Sequence, residues 1–474
     1  MERPHLFSSF SRTLRFRRFA LVLAFFIGAL IYWTALPSTR GPEWWPDLHL
    51  SSLISHHIPD DLKCQSLNGA NETLVVMRTG STELAAKLSV HLDTVLRCFP
   101  HKLVFSDTAE VFNGHTVLDA LESVSSTVKE TNKDFELYNR LRDGRNTLEP
   151  DELHGHQNET LLESLSGHTE NPGWKLDKWK FLPMVNRTFA EYPDTSGIKW
   201  YVFMEADSYL VWPTLLDHLA TLDYAKPYYS GSAAYIDNVP FAHGGSTFIV
   251  SPPAMRSVTE YYNAHKEEVE DTTNRHWAGD CVLAKYFAES GTPLTGAWPT
   301  FQGEHPGSVA YMEPDSRPSD LWCAPAVSYH HVDPSTIKDL WNFEQEQISL
   351  SEDVSLTFGQ QRPESTLINN SQNTPKAMTH GYIFDHYIIP RLRAGRMDDW
   401  DNDSSVGGEN TAITNDMDVC RLLCENDQNC LQYSVRDGHC YTFDLPRLGK
   451  PTTGVKSGWL VDRVEKMRAA VPEC

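Results

Sequence analysis

Glu205 and Asp207 stand one residue apart at the end of an apolar run, residues 200–204, in the stretch WYVFMEADSYL. An apolar run of this length predicts a strand buried on both faces of a parallel sheet. On a strand, residues two apart point to the same side. Open α/β sheets bind ligands just beyond the carboxyl ends of their strands. Carboxylates placed there can hold a hard divalent cation, Mn²⁺ or Mg²⁺. Such a cation neutralises a diphosphate and stabilises its departure. The pair therefore suggests an enzyme that handles a nucleotide-sugar. The plainer alternative is an acid capping the turn after a strand.

Three further groups bear on that chemistry. His330 and His331 are adjacent, so on a strand they face opposite sides and do not easily share one metal. A packed, hydrogen-bonded histidine is the commoner fate, and no HExxH motif points to a zinc hydrolase. His243-Gly244-Gly245-Ser246 places two glycines before a short strand, where backbone can pass close to a ligand or simply turn. Asp280 follows Gly279 at a helix start. It is either an N-cap or a general base that takes a proton from an acceptor hydroxyl.

The elements that must position these residues alternate. Residues 73–77 (TLVVM) predict a first strand, residues 83–96 a helix, and residues 103–105 a second strand ending at Ser106-Asp107. This β-α-β order is the signature of a doubly wound sheet. Residues 174–190 predict a helix, interrupted near Pro183, that leads into the strand before Glu205. A short strand follows the Gly-Gly turn and stops at Pro252-Pro253, with helices at 254–265 and 277–289. Residues 326–332 predict a further strand, and residues 144–172 an exposed loop.

The formal charge of −22 argues against nucleic acid as a partner. Residues 1–18 carry five arginines, and residues 19–36 carry no charge. An uncharged run of this length can just span a bilayer, with the arginines fixing its start in the cytosol. A signal anchor is expected, a cleaved signal peptide being the alternative. The short span suits a thin membrane of the early secretory pathway. Nine cysteines in a luminal chain suggest disulfides. Cys64 and Cys98 bracket the first β-α unit. Glycosylation sequons stand at Asn71, Asn158, Asn186, Asn369 and Asn402.

Taken in order, these pieces resemble the Fringe and core-1 galactosyltransferase family, glycosyltransferase family 31. EADSYL is similar to its acidic metal motif, with Glu205 for the first aspartate and Ala206 for the middle one. FAHGGSTFIVSPPAM is similar to its Gly-Gly strand, WAGDCVLAKYF to its Asp-Asp helix start, AVSYHHV to its Ser-Phe-His strand, and LVFSD to its second strand. The resemblance covers roughly residues 64–345. It implies an α/β GT-A (Rossmann-like) fold in a type II Golgi membrane enzyme that is inverting, Mn²⁺-dependent and uses a UDP-sugar. It implies Asp207 and His330, rather than His331, as metal ligands, with Glu205 beside them and Asp280 as the base. It places Arg78, Thr79, Asp107, Trp174, Lys178, Glu205, Ala206, Gly244 and Gly245 around the donor.

The segment CRLLCENDQNCLQYSVRDGHCY resembles a PAN/Apple module, a small disulfide-rich α+β domain that binds protein or carbohydrate. The expected pairs are Cys420–Cys440, Cys424–Cys430, Cys64–Cys98 and Cys281–Cys323, although counting alone does not choose among connectivities. That leaves Cys474 to link two chains, so a second copy is a candidate partner. The expected layout is a tail at 1–18, an anchor at 19–36, a stem at 37–63, a transferase domain at 64–345, a linker at 346–415 and the PAN-like module at 416–474. The expected activity is transfer of a hexose or N-acetylhexosamine, in a β-1,3 linkage, to a glycan or glycoprotein hydroxyl. An inactive, lectin-like protein on the same scaffold is the alternative.

Overall fold

The computed structural model describes residues 60–142, 148, 172–311, 321–358, 378–471 and 474. The expected anchor, and the sequons at Asn158 and Asn369, lie outside the described residues. Among the described residues, no helix is long and apolar enough to cross a membrane.

The strand before Glu205 sits at the centre of a mixed sheet because its apolar run feeds two cores. Strands β1 (Thr73–Arg78), β2 (His101–Ser106), β3 (Glu110–Phe112) and β4 (His115–Asp119) precede β5 (Trp200–Glu205). β6 (Tyr209–Leu210), β7 (Tyr229–Gly231), β8 (Ala233–Ile236), β9 (Val239–Ala242), β10 (Phe248–Val250), β11 (Thr295–Gly296) and β12 (Ser328–Tyr329) follow it. The eight-stranded order is β11-β7-β10-β5-β1-β2-β4-β3. β1 runs parallel to both β2 and β5, so the chain leaves β1 on one side and returns on the other. That reversal opens a crevice at the carboxyl ends of β1 and β5.

Alternation decides which core each side chain enters. Val75, Met77, Trp200, Val202 and Met204 face one core, while Leu74, Val76, Tyr201 and Phe203 face the other. Helices Leu84–Asp93 and Trp212–Ala220 cover the first face. Helices Pro172–Glu191, Pro252–Ala264 and Gly279–Glu289 cover the second. The Pro172–Glu191 helix runs through Pro183 without the expected interruption. Pro183 and its neighbours are buried, and such packing can outweigh the one backbone bond that proline removes.

The stretch expected as a linker is largely built structure where it is described. Helix Pro334–Phe358 enters it, and residues 380–392 form helical turns whose Ile383, Phe384, Ile388 and Leu392 join the first core. Strands β13 (Arg396–Asp401) and β14 (Glu409–Ile413) join β15 (Gln432–Arg436), β16 (His439–Phe443) and β17 (Lys450–Trp459) in a second, antiparallel sheet ordered β13-β17-β15-β16-β14. Cys420–Cys440 and Cys424–Cys430 clamp helix Met417–Asn426 to this sheet, and Cys64–Cys98 ties the start of the first β-α unit.

Three expectations are corrected here. Cys323 pairs with Cys474, not with Cys281, which is a buried free thiol. Cys474 is thereby engaged within its own chain. Asn402 is fully buried, its amide donating to Tyr433 O at 3.2 Å and its Oδ1 accepting from Ser404 Oγ at 2.7 Å, so the folded protein offers no room for a glycan there. Asn71 is exposed and Asn186 half-buried.

Candidate metal centre

β5 ends at Glu205, and the chain turns through Ala206 and Asp207 before β6. β6 pairs antiparallel with β12, setting Tyr209 opposite Tyr329. Val332 N–H then donates to Asp207 O at 2.8 Å, and His330 N–H to Glu304 O at 3.1 Å. This lacing brings His330 Nε2 to 3.3 Å from Asp207 Oδ1 and 3.9 Å from Glu205 Oε2.

The strand expected over 326–332 stops at Tyr329, and His331 takes φ +54°. That left-handed residue cancels the strand alternation, so the expectation of opposite faces is corrected. The two imidazoles lie 3.8 Å apart between centroids. One donor atom each from Asp207, His330 and His331 lies within 4.8 Å of the others. Asp207 Oδ1 is buried and makes no aligned hydrogen bond. An orphaned carboxylate oxygen facing two imidazoles fits a first-row divalent cation, which accepts mixed oxygen and nitrogen donors.

The Gly-Gly turn closes the other side. Gly244–Ser246 forms a single turn, pinned by Ser208 Oγ donating to Gly245 O and Ser328 Oγ to Ser246 O, each at 2.7 Å. A Cβ at Gly245 would enter the His330 ring, and one at Gly244 would press on Glu205 Oε1 at 2.9 Å. Gly244 N–H donates to Asp280 Oδ2 at 3.1 Å, and Cys281 N–H to Asp280 Oδ1 at 2.9 Å. The turn therefore touches the metal cluster on one side and the candidate base on the other.

Cations surround the acids. Lys87 Nζ lies 3.1 Å from Asp207 Oδ2 and 2.7 Å from Glu83. Arg78, at the end of β1, bridges Asp177 and Glu205 and lies over the Phe181 ring. Burial opposes ionisation of Asp207, but Lys87 and His330 outweigh it and hold the carboxyl well below its usual range. Burial raises Glu205, with Arg78 pulling the other way. His330 is raised because Asp207 overcomes its burial, whereas burial and then the charge of His330 push His331 well down. His331 is thus a neutral imidazole with a lone pair to offer. Burial lifts Asp280 to about 6 against the Gly244 amide, and drops His243 to about 3.

The expected site residues separate into groups. Arg78, Glu205, Asp207, Gly244, Gly245, Asp280 and His330 come together. Ala206 is packed in the first hydrophobic core, its carbonyl accepting from His91 Nε2 at 2.8 Å. A carboxylate at that position would point into the core, so alanine removes no ligand from this cluster. Asp107 is fully buried and committed to Lys180 Nζ and Ser81 N–H, each at 2.7 Å, and Thr79 O accepts from the same lysine at 2.9 Å. Both prop the strand ends and do not face open space. Lys178 turns away to Asp134 at 3.0 Å and Asn274 O at 3.3 Å. Trp174 lies near-parallel to Trp277.

Lys87, Asp177 and His331 were not singled out as ligands or partners from sequence. A signal for Lys87 exists: Leu84, Lys87, Leu88 and His91 form one buried stripe at helical spacing, with a lysine and a histidine where apolar residues belong. No protein-family model matches this chain, and no curated protein matches it.

Proposed function

We propose that this chain is a metal-dependent glycosyltransferase of GT-A architecture that transfers a sugar from a UDP-sugar to a hydroxyl of a glycan or glycoprotein. The observation that carries the reading is the convergence of Asp207, His330 and His331 at the β1/β5 crevice, with Asp280 across the Gly244-Gly245 turn. Asp207, His330 and His331 would hold Mn²⁺, which supplies positive charge against a departing diphosphate. Asp280 is ionised at neutral pH yet basic enough to accept a proton. In the proposed single displacement the acceptor oxygen bonds to the anomeric carbon as its proton passes to Asp280. The bond from that carbon to the phosphate oxygen breaks, and its electron pair leaves with UDP. Arg78 holds Glu205 and Asp177 in place at the end of β1. The antiparallel C-terminal sheet with its clamped helix takes the part of the PAN-like module. The N-terminal anchor, the Golgi location and the β-1,3 linkage belong to the same proposal.

One observation favours the second reading, an inactive glycan-binding protein. Lys87 already sets an ammonium against Asp207, and an internal cation can replace a metal ion in holding such a turn. The readings separate by thermal melting of the full chain with Mn²⁺ and UDP. The transferase reading expects stabilisation by the pair together, lost in Asp207→Ala. Equal melting with and without them favours the second reading.

A further inference from the structure

The carboxyl end of the central sheet carries exposed aromatic side chains that the proposed chemistry does not use. Trp277 is 53% exposed, Trp298 54% and Tyr235 69%. Sheet register places Tyr235 and Trp298 at this end, and the contact of Asp280 with Gly244 places the nearby Trp277 there. Gly231 lies opposite Phe248, and Phe248 opposite Phe203, so the β8–β9 hairpin bearing Tyr235 leaves from the carboxyl end of β5. β11 runs parallel to β7, so Trp298 leaves from that end as well. Trp277 precedes Asp280 by three residues, and Asp280 reaches the Gly244 amide.

Trp277 is not a solitary exposed ring. It lies near-parallel to Trp174, 6.3 Å between centroids and 18° between planes, and the His276 ring is near-parallel to it at 6.4 Å and 13°. Trp174 stands three residues before Asp177 on helix Pro172–Glu191, one turn above the carboxylate that binds Arg78. Trp174 is thus one helical turn from Asp177, and Trp277 lies in the chain that leads into the helix opening at Gly279-Asp280. An aromatic face bears partial negative charge and attracts polarised C–H groups, while a neighbouring carboxylate accepts hydroxyl hydrogen bonds. A pyranose ring offers both, an apolar C–H face and a rim of hydroxyls.

We propose that the Trp174–Trp277 pair is the subsite for the pyranose ring of a glycan acceptor, holding its hydroxyls toward Asp280. This assignment rests on the transferase reading for its role, but not for its test. Saturation-transfer NMR on the full chain would use methyl β-glycosides of galactose, glucose, N-acetylglucosamine and N-acetylgalactosamine, N-acetyllactosamine, and a serine/threonine peptide. At least one sugar is expected to receive saturation chiefly at the ring protons of one face. Trp277→Ala is expected to weaken that binding by about tenfold. Trp277→Phe should retain most of it, and Tyr224→Ala, an exposed aromatic beyond the amino end of β7, should leave it unchanged. Mn²⁺-dependent UDP binding, measured separately, should be unaffected in Trp277→Ala. Absence of UDP binding by the wild type would refute the donor reading and leave the platform standing. The platform is overturned if no sugar binds, if only the peptide binds, or if sugar binding survives Trp277→Ala intact.

Discussion

Gly245→Ala isolates the packing on which the metal cluster depends. Gly245 has no left-handed φ, so alanine brings no backbone strain, only a methyl group. That methyl would occupy the space of the His330 Nε2, Cε1 and Cδ2 atoms. His330 has nowhere to retreat. It is 5% exposed, tied through its amide to Glu304, and flanked by the rings of His331 at 3.8 Å and His243 at 5.2 Å. Overpacking of this kind costs about 1–3 kcal/mol. At about 2 cal/mol/K of unfolding entropy per residue, a chain of this size shifts by roughly 1 °C per kcal/mol, so the melting temperature should fall by roughly 1–4 °C. Displacing an imidazole ligand should weaken Mn²⁺ binding by about 100-fold, the upper end of what loss of a supporting partner costs. Calorimetric titration with Mn²⁺, paired with melting curves, measures both. Gly296→Ala is the control, since nothing lies within 4 Å of its added Cβ. Wild-type Mn²⁺ affinity and wild-type melting in Gly245→Ala would refute both the close approach and the role of His330.

Other outcomes follow from the same geometry. His331→Ala should weaken Mn²⁺ binding about tenfold or more with little change in melting, and equal titrations for wild type and variant would remove His331 from the ligand set. Lys87→Met breaks a pair whose side chains are only 10% and 18% exposed, so the metal-free protein should lose about 3 kcal/mol, recovered on adding Mn²⁺. Denaturant titration with and without the ion checks this, and a loss that Mn²⁺ does not restore counts against Asp207 as a ligand. Asp280 has a folded pKa raised to about 6, so between about pH 4 and pH 6 the folded state holds more protons than the unfolded one. Its contribution to stability therefore falls as pH rises through that window. Melting of Asp280→Asn should gain on wild type from pH 5 to pH 8, and transfer should rise through about pH 6 only in the wild type. Parallel pH curves for the two proteins would contradict the buried-acid assignment.

The sequence carried the centre of this molecule more clearly than its edges. The run before Glu205 is apolar throughout because β5 is covered on both faces, so its burial was legible without partners, but its direction only in part, since β5 runs parallel to β1 and antiparallel to β10. The glycines at 244 and 245 were legible as a close approach, but not the reason, which is a histidine 85 residues further on in the chain. His331 was misread because strand alternation was carried past Tyr329, where one left-handed residue ends it. The Lys87–Asp207 and Arg78–Asp177 pairs join residues about 100 positions apart, and no local pattern encodes such a meeting. A still longer separation, 151 residues, hid Cys323–Cys474. β13 was lost in a polar stretch because only Asp401 of its six residues is buried, leaving no apolar alternation to find.

The most direct test of the account is UDP release from a panel of UDP-sugars, followed with the full chain in Mn²⁺ and in chelator. Release is expected from one donor; it should require Mn²⁺, rise when a glycan acceptor is added, and fall at least about 100-fold in both Asp207→Ala and Asp280→Asn. No release from any donor, with Mn²⁺ and glycan binding intact, would contradict it and leave a binding protein on the same scaffold.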